Sequence, residues 1–251
     1  MTNQEILEIA LKQSAIDLNC TPEDFFGSEP KFVRSKPHPL ARKYLKLPFD
    51  ANLVFYGENI VASVSERVEP LVREYVSQQK PYSLFSIPTL HKLDEVLAPL
   101  GLRTRHMAEY FLPDVTALRE LSCAYPMRVL DASDFTELYL PQWSNALCED
   151  RKQLDVLGVG AYDGEKLVGL AGCSADCETM WQIGIDVLPE YRRKGIAAAL
   201  TSRLALEILR RGKVPFYCAA WSNIPSVRNA VHSGFRPAWV ELTAKPMEGN
   251  I

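Results

Sequence analysis

Apolar residues recur along the first half of the chain at two spacings. Intervals of three and four residues predict amphipathic helices, and short β-branched or aromatic runs between turn signals predict strands. One helix is expected to end at Gly101, because glycine favours the left-handed cap of a helix. The predicted helices are residues 4–18, 66–79 and 90–100, and the predicted strands are residues 82–87 and 107–112 with two more inside 51–65.

The pattern restarts after Pro126. Strands alternate with helices from there on, and a final strand closes the series. This alternation with antiparallel closure predicts an α/β (α+β) layered fold. The predicted strands are residues 127–130, 156–161, 166–172, 180–188, 214–220 and 238–244, and the predicted helices are residues 131–140, 143–154, 195–211 and 226–233.

The restart also predicts two domains, over residues 1–124 and 125–251. A chain of 251 residues fits either one large domain or two compact ones. Both halves end in the order strand, helix, glycine, strand, at residues 97–110 and again at 230–240. That order is compatible with a degenerate internal repeat and with coincidence.

Composition narrows the class of protein. Hydrophobic residues make up 47% of the chain and charged residues 24%, which is enough for a folded core. A formal net charge of −3 argues against a dedicated nucleic-acid binder. No apolar run approaches the roughly 20 residues of a membrane helix, and the N-terminus lacks a signal-peptide pattern. We therefore expect a cytoplasmic protein that binds neither nucleic acid nor membrane, and we exclude fibrous and secreted disulfide-scaffold classes.

The six cysteines and four histidines form no metal-binding pattern. The cysteines are scattered without a CxxC pair, which favours reduced thiols. Cys173 and Cys177 are too far apart along a predicted strand to bind one zinc ion, and we interpret them as core residues. No histidine lies in an HExxH pattern. The sequence therefore predicts no metal site.

A basic turn links a buried-looking strand to a long helix. The strand stops at Pro189, the turn carries Arg192, Arg193 and Lys194, and small residues follow Gly195. Backbone N–H groups point outward at a helix N-terminus, and the helix dipole favours an anion there. Glycine lets phosphate oxygens approach the backbone, and the three cations add attraction. The segment therefore predicts a pyrophosphate site, although it matches neither the Walker A loop nor GxGxxG.

The pattern Arg192-x-x-Gly195-x-Ala197 resembles the (Gln/Arg)-x-x-Gly-x-(Gly/Ala) acyl-CoA signature of the GNAT superfamily of N-acyltransferases. Such a short pattern is weak alone, and the strand before it and the helix after it strengthen it. The resemblance implies a GNAT-like mixed, mostly antiparallel sheet flanked by helices in the second domain. It also implies that the N-terminal half is a smaller α/β domain, at most a degenerate version of the same fold.

A second stretch supports the resemblance. Asn223 follows a predicted strand, and the next helix ends in Gly234-Phe235, as in the second GNAT signature. The similarity covers roughly residues 127–244. The first half of the chain has no counterpart of the acyl-CoA signature.

The resemblance implies acetyl-CoA as cosubstrate, with its pantetheine arm between the fourth and fifth strands of the family's sheet. Backbone groups of the strand before the basic turn would pair with the arm, and the turn would hold the pyrophosphate. The implied cofactor-binding residues are Val187, Leu188, Arg192, Arg193, Lys194, Gly195, Ile196, Ala197 and Asn223.

The family's reaction is direct attack of an amine on an acyl thioester, which needs a base, an oxyanion donor and a proton source for the thiolate. Asp186 and Glu178 are candidate bases by their proximity to the implied cleft. Ala230 stands where many relatives carry a tyrosine as proton source. Tyr217 is a candidate substitute, although a core aromatic residue with a satisfied hydroxyl fits the same pattern.

Acceptor sites in this fold usually lie near the first two helices. In this chain these carry Tyr139, Trp143, Asn145, Glu149 and Asp150. Aromatic and acidic side chains together can receive a cationic amine. An amphipathic helix with an acidic outer face gives the same pattern, so both interpretations stay open.

The sequence thus predicts an acetyl-CoA-dependent N-acetyltransferase that acts on a small-molecule or peptide amine. The N-terminal domain is expected to cover the acceptor cleft or to mediate homodimerisation. The alternative is a non-catalytic acyl-CoA-binding sensor or scaffold, which the alanine at position 230 motivates. A DNA-binding regulator is disfavoured, because residues 4–26 carry five acids and one base, which would repel phosphate.

Overall fold

The computed structural model describes residues 1–247, which fall into two compact units. The larger unit comprises residues 1–9 and 111–237, and the smaller unit comprises residues 10–110 and the chain from 238 onward. Each unit combines two segments that are far apart along the sequence. The sequence predicted two domains that meet between residues 124 and 125, each a continuous stretch of chain. Whether each stretch folds as a separate domain stays a prediction.

Ten strands and five α-helices lie within residues 1–247, and short 3-10 helices occupy several of the connections. The helices are α1 (Asn3–Leu18), α2 (Glu69–Ser77), α3 (Ile87–Leu97), α4 (Ile196–Arg210) and α5 (Ile224–His232). The strands are β1 (Lys31–Arg34), β2 (Ala51–Phe55), β3 (Ile60–Val64), β4 (Leu102–Pro113), β5 (Met127–Asp131), β6 (Asp155–Asp163), β7 (Lys166–Ser174), β8 (Met180–Val187), β9 (Val214–Ala219) and β10 (Phe235–Pro246).

The sheet of the larger unit is mixed and mostly antiparallel. Strands β5, β6, β7 and β8 pair antiparallel in chain order, and β9 joins β8 in parallel. Helix α4 packs on one face, where Ile196, Leu200 and Leu204 form a buried cluster with residues such as Val159 and Ile183. The other face is covered by the segment between β5 and β6. This arrangement places β8, its following turn and α4 side by side.

The smaller unit has a comparable layout. Strand β1 pairs parallel with β3, β3 pairs antiparallel with β2, and β2 pairs antiparallel with β10. Every residue of β3 is buried, and α2 and α3 contribute Val72, Val76, Leu93 and Leu97 to its core. The predicted α/β class, with a mixed, mostly antiparallel sheet flanked by helices, is confirmed.

Two predictions in the first half of the chain were incomplete or wrong. Residues 82–87, predicted as a strand, lie mostly in a 3-10 helix over Pro81–Phe85. Pro81 at its start has no N–H to donate, and the Tyr75 hydroxyl donates to the Leu84 carbonyl at 2.8 Å. Strand β1 was not predicted, because its alternation is short and two of its four residues are charged.

The α-helices predicted over residues 131–140 and 143–154 were also wrong. The first range forms a 3-10 helix that ends at Leu138, and Pro141 begins a separate one. Arg151 inside the second range has a non-helical φ of −138°. The segment instead forms three 3-10 helices, at Ala132–Leu138, Pro141–Trp143 and Glu149–Leu154.

The apolar spacing in that segment has a different origin. Phe135, Trp143 and Leu147 are buried against Leu130 and Leu170 on the sheet face opposite α4. Apolar side chains at intervals of a few residues therefore reflect a chain that lies flat on the sheet, which a periodicity argument does not distinguish from a helix.

Candidate functional site

Strands β8 and β9 pair for only part of their length. Their Cα partners run from Met180 to Gln182 on β8, and the pairing stops at Gln182–Phe216. Both strands continue past this point, β8 to Val187 and β9 to Ala219. Strand β8 keeps its antiparallel partner β7 as far as Val187. The edge of β8 that faces β9 is therefore open over residues 183–187, where an extended ligand can bond to the backbone.

The chain turns sharply between β8 and α4. A 3-10 helix over Pro189–Tyr191 follows the strand, and Arg193 and Gly195 then adopt left-handed φ values of +62° and +77°. A Cβ added at Gly195 would meet no protein atom within 4 Å. Glycine is thus favoured there by its backbone conformation, and the space beside it is open to a ligand.

The backbone amides at the start of α4 are not used by the protein. Within residues 1–247, none of the N–H groups of residues 193–198 has a protein acceptor, and the first helical bond runs from Ala199 N to Gly195 O. At α5, by contrast, Asn223 Oδ1 accepts from the Ser226 N–H at 3.3 Å. The start of α4 therefore offers a run of free donors with the positive end of the helix dipole behind them.

The three cations of the turn have different surroundings. Arg192 Nε donates to the Val187 carbonyl at 2.9 Å, which ties the turn to the end of β8. Lys194 Nζ lies 5.0 Å from the Tyr191 ring centroid and 3.4 Å from the Tyr125 hydroxyl. Arg193 is exposed. The turn thus presents positive charge beside the free amides, and these groups together suit a diphosphate.

Asn223 lies between β9 and α5, as the sequence predicted. Its side-chain oxygen caps α5, so the amide nitrogen is the group left to face a ligand. Asn223 and the 192–197 turn follow parallel strands, so both lie at the carboxyl edge of the sheet. The structure therefore brings the predicted cofactor residues to one edge of the larger unit.

Two residues predicted for different tasks are bonded to each other. The carboxylate of Asp186, a candidate base, accepts from Asn145 N at 2.8 Å, Asn145 Nδ2 at 2.7 Å and Ala146 N at 3.0 Å. Asn145 was predicted to contact the acceptor. These three hydrogen bonds hold the segment around Asn145 against β8. Asp186 is the residue next to Val187, the last residue of the open stretch.

Glycines on neighbouring strands allow this close approach. A Cβ at Gly184 of β8 would lie 1.7 Å from the Asn145 carbonyl oxygen, and one at Gly172 of β7 would lie 2.1 Å from the Ala146 oxygen. Gly172 and Gly184 are Cα partners in the β7–β8 pair. The backbone of residues 145–146 therefore lies directly on the sheet, and any larger residue at either position would push it away.

A surface cavity of about 340 Å³ lies beside this segment. Of the residues predicted to contact the acceptor, Tyr139, Trp143, Glu149 and Asp150 line it. Asn145 does not line it. Lys152 Nζ lies 4.5 Å from the centroid of the Tyr139 ring and 3.2 Å from Glu149 Oε1. A cationic ligand would use this aromatic face and this carboxylate in place of the Lys152 ammonium group.

Sequence reasoning missed Asp155, which lies behind the cavity at the start of β6. Its side chain is 2% exposed and accepts from Cys148 N at 2.8 Å, Ser174 Oγ at 2.6 Å and the Tyr139 hydroxyl at 3.3 Å. Burial raises the pKa of Asp155, and the three bonds oppose that rise. Burial, together with the charge of Asp155, raises the pKa of Tyr139 to about 12. A single acid at a predicted strand boundary gave no signal in the sequence.

The candidate proton source, Tyr217, lies inside the core. It is 3% exposed, its hydroxyl lies 2.8 Å from Ser226 Oγ, and its ring packs edge-on against Phe111. Burial raises the pKa of Tyr217. Ala230, at the position where relatives carry a tyrosine, is fully buried.

Glu178 lies apart from the other candidates. It is exposed in the loop that precedes β8, whereas the basic turn follows the same strand. At about 3.3 Å per residue, the length of β8 places roughly 23 Å between these two ends. Glu178 therefore does not share a site with the turn.

Within the described residues, no group of three or more His, Cys, Asp or Glu is placed to hold a metal ion. No helix in the same stretch, from residue 1 to 247, is long and apolar enough to cross a membrane.

Comparison with known proteins gives one family match. The sequence profile described as GNAT acetyltransferase matches residues 53–238, which is more than half of the chain. No curated protein sequence matches significantly.

Solved structures of similar fold include several acetyltransferases. A putative GNAT-family acetyltransferase from Novosphingobium aromaticivorans is 20% identical with a TM-score of 0.43, over 57% of this chain and 66% of that one. The chain therefore spans slightly less than two thirds of that protein. A GCN5-related N-acetyltransferase-like protein from Streptococcus suis is 22% identical with a TM-score of 0.45, over 62% and 67%. A tandem GNAT protein from the clavulanic acid biosynthesis pathway is 12% identical with a TM-score of 0.48, over 100% and 98%.

Proposed function

The chain belongs to the GNAT acetyltransferase family, and on that premise we propose that it transfers an acetyl group from acetyl-CoA to a primary amine. Family membership implies acyl transfer from an acyl-CoA. Acetyl as the acyl group follows the family's description, and an amine as the acceptor is supported by the aromatic and acidic cavity described above.

One observation carries the proposal. The amides of residues 193–198 are free of protein acceptors at the point where β8 and β9 have separated. Diphosphate needs converging N–H donors and positive charge, and an extended pantetheine arm needs an open strand edge. Both lie on consecutive stretches of chain, so they suit the two parts of one CoA molecule. Val187, Leu188, residues 192–197 and Asn223 are the groups that would hold it.

The cavity beside Asn145 is the proposed acceptor site. Tyr139, Trp143 and Glu149 line it, and they combine aromatic faces with a negative charge. Such a lining favours a cationic amine over a neutral or anionic acceptor. The proposal leaves open whether the amine belongs to a small molecule or to a peptide.

A non-catalytic acyl-CoA-binding sensor is the second candidate. It is favoured by Ala230 at the position of the usual tyrosine and by the buried, bonded hydroxyl of Tyr217. Neither observation excludes catalysis, because a CoA thiolate can take its proton from solvent. Release of free CoA thiol in the presence of a panel of amines separates the two functions, since a sensor binds acetyl-CoA and releases none.

Calorimetric titration with acetyl-CoA tests the cofactor site. Gly195→Glu places a carboxylate beside the free amides and is expected to weaken binding by at least about 100-fold, through charge repulsion and blocked access. Gly212→Glu is the matched control, because Gly212 follows the other end of α4, has a φ of +72° and also has no protein atom within 4 Å of an added Cβ. Equal binding by wild type and both variants would contradict the proposal.

A further inference from the structure

Asp155 occupies an unusual position for a carboxylate. It is 2% exposed, and Tyr139, whose hydroxyl donates to it, is one of the residues that line the cavity. Buried carboxylates are uncommon unless they are bonded, and Asp155 has three donors. One of these donors, the hydroxyl, connects it with the space in which the acceptor is proposed to bind.

Asp155 also lies in register with the point where β8 and β9 separate. Its Cα partner on β7 is Ser174, and the Cα partner of Ser174 on β8 is Gln182, the last β8 residue that pairs with β9. Adjacent strands are about 4.8 Å apart, so Asp155 is about 10 Å from the separation point. The pantetheine arm is proposed to run along the open edge of β8 from the turn, which places its thioester end at the separation point. That point and Asp155 are thus within the reach of one acceptor molecule.

The side chains of this row point to the same side of the sheet. Ser174 Oγ donates to Asp155 at 2.6 Å, which places both on one face. Gly172 and Gly184, two residues along from Ser174 and Gln182, face the backbone of residues 145–146. Residues between them, such as Cys173 and Ile183, pack in the cluster that contains α4. The row therefore faces the segment that forms the cavity.

The two predicted bases, Asp186 and Glu178, are less suited than Asp155 to accept the proton of the amine. The three donors to the Asp186 carboxylate are N–H groups of Asn145 and Ala146, which do not relay a proton as a hydroxyl can. Glu178 lies in the loop before β8 and does not line the cavity. An amine that attacks a thioester must lose a proton, and a suitably placed group raises the rate of that step. In the larger unit, the Tyr139–Asp155 pair joins a residue of the cavity wall to a buried carboxylate through one hydrogen bond.

We propose that Asp155, acting through the Tyr139 hydroxyl, takes up the proton that the acceptor amine releases. The inference rests on the proposed acetyl transfer. The amine nitrogen forms a bond to the thioester carbonyl carbon, the carbon–sulfur bond breaks, and CoA leaves as a thiolate that solvent protonates. The N–H proton passes to the Tyr139 oxygen as Tyr139 gives its own proton to Asp155, which later returns it to solvent. Tyr139 contacts the amine, and Asp155 is a positioning residue behind it.

The charged and titratable groups around Asp155 come from two elements. Arg151, on the segment before β6, favours the carboxylate form and is itself paired with Asp176 at 2.6 Å. Burial favours the neutral form and is the largest influence on the pKa of Asp155. The groups that face it are Tyr139, Cys148 and Arg151 from the preceding segment and Ser174 from β7. Lys152 of the same preceding segment lies over the Tyr139 ring.

The experiment compares Asp155→Asn and Tyr139→Phe with wild type and with Tyr162→Phe. Tyr162 is a tyrosine near the other end of β6 and outside the cavity. CoA thiol release is followed with acetyl-CoA and benzylamine, cadaverine, spermidine or L-lysine amide, and the fastest amine is used between pH 5 and about pH 9. Calorimetry with acetyl-CoA reports on the cofactor site of each variant.

We expect kcat/KM of both variants to fall by about 100-fold at high pH, with acetyl-CoA binding and Tyr162→Phe unchanged. The ratio of the wild-type kcat/KM to that of each variant is expected to fall as the pH falls, because protonated Asp155 accepts no further proton. A ratio that is constant across pH indicates a purely structural role and overturns the inference. Tyr139→Phe removes only a hydroxyl from a partly exposed ring, so it tests the inference even if Asp155→Asn is unstable.

The proposed function and the inference fail in different ways. Wild type that turns over an amine, with variants that match it at every pH, overturns the proton relay and leaves acetyl transfer standing. Wild type that binds acetyl-CoA but releases no thiol with any amine overturns both the relay and acetyl transfer, and supports the sensor.

Discussion

Asn145 donates its backbone N–H and its side-chain amide to the two carboxylate oxygens of Asp186, at 2.8 and 2.7 Å. The bond joins the segment that borders the cavity to β8, the strand proposed to bind the pantetheine arm. All three donors to Asp186 are N–H groups of the backbone or of an amide, and none of them relays a proton as the Tyr139 hydroxyl can for Asp155. We therefore expect Asp186 to hold the acceptor segment against the cofactor strand instead of reacting with the amine.

Asp186→Asn is expected to lower the free energy of unfolding by about 1–3 kcal/mol, because one amide NH2 would then face N–H donors. The KM for the amine should rise more than kcat falls, since the variant loosens the segment beside the cavity. Thermal unfolding and steady-state kinetics measure both effects. Glu178→Gln is the control, and its exposed side chain should change neither stability nor rate. An Asp186→Asn protein as stable as wild type would contradict this account.

Gly184→Ala tests the close approach of residues 145–146 to the sheet. The added Cβ would lie 1.7 Å from the Asn145 carbonyl oxygen, so the segment must move. Overpacking of this kind typically costs about 1–3 kcal/mol. Gly164→Ala is the comparison, because its Cβ meets no atom within 4 Å and its cost arises only from a φ of +59°. Urea unfolding that gives the two variants equal stability would show that the segment is not held where the structure places it.

Asp155 should make stability depend on pH. Burial raises its pKa in the folded protein above the unfolded value, so folding favours proton uptake. The stabilisation that Asp155 provides is then fully present below its pKa in the unfolded chain. It is lost as the pH rises through its pKa in the folded protein. The stability of wild type relative to Asp155→Asn should therefore fall as the pH rises above about 4, the ordinary carboxyl pKa. Unfolding free energies of both proteins across that range measure it, and a difference that rises with pH would contradict the assigned direction.

The sequence was most informative where local rules determine structure. The strand before Pro189, the left-handed Gly195 and the helix of small residues after it follow from backbone preferences and periodicity, and the structure confirms the predicted strand and helix to within a few residues. Gly101 and Gly234 end helical segments for the same reason, with φ values of +70° and +90°. These features also carry the family signatures.

The sequence was least informative where partners are distant along the chain. Asp155 matters because Ser174 and the Tyr139 hydroxyl meet it in the folded state, and no spacing rule joins those three positions. Gly172 and Gly184 likewise appear as ordinary strand glycines until the backbone of residues 145–146 is seen against them. The 131–154 segment was predicted as helical because apolar spacing alone does not show whether a chain coils or lies on a sheet.

Hydrogen exchange of backbone amides with and without acetyl-CoA tests the central claim most directly. The amides of residues 193–198 have no protein acceptor, so they should exchange quickly in the free protein and slow by at least about 10-fold when a diphosphate binds. The Ser226 amide, which Asn223 already caps, should change far less. Binding of acetyl-CoA that leaves exchange at residues 193–198 unchanged would contradict the account.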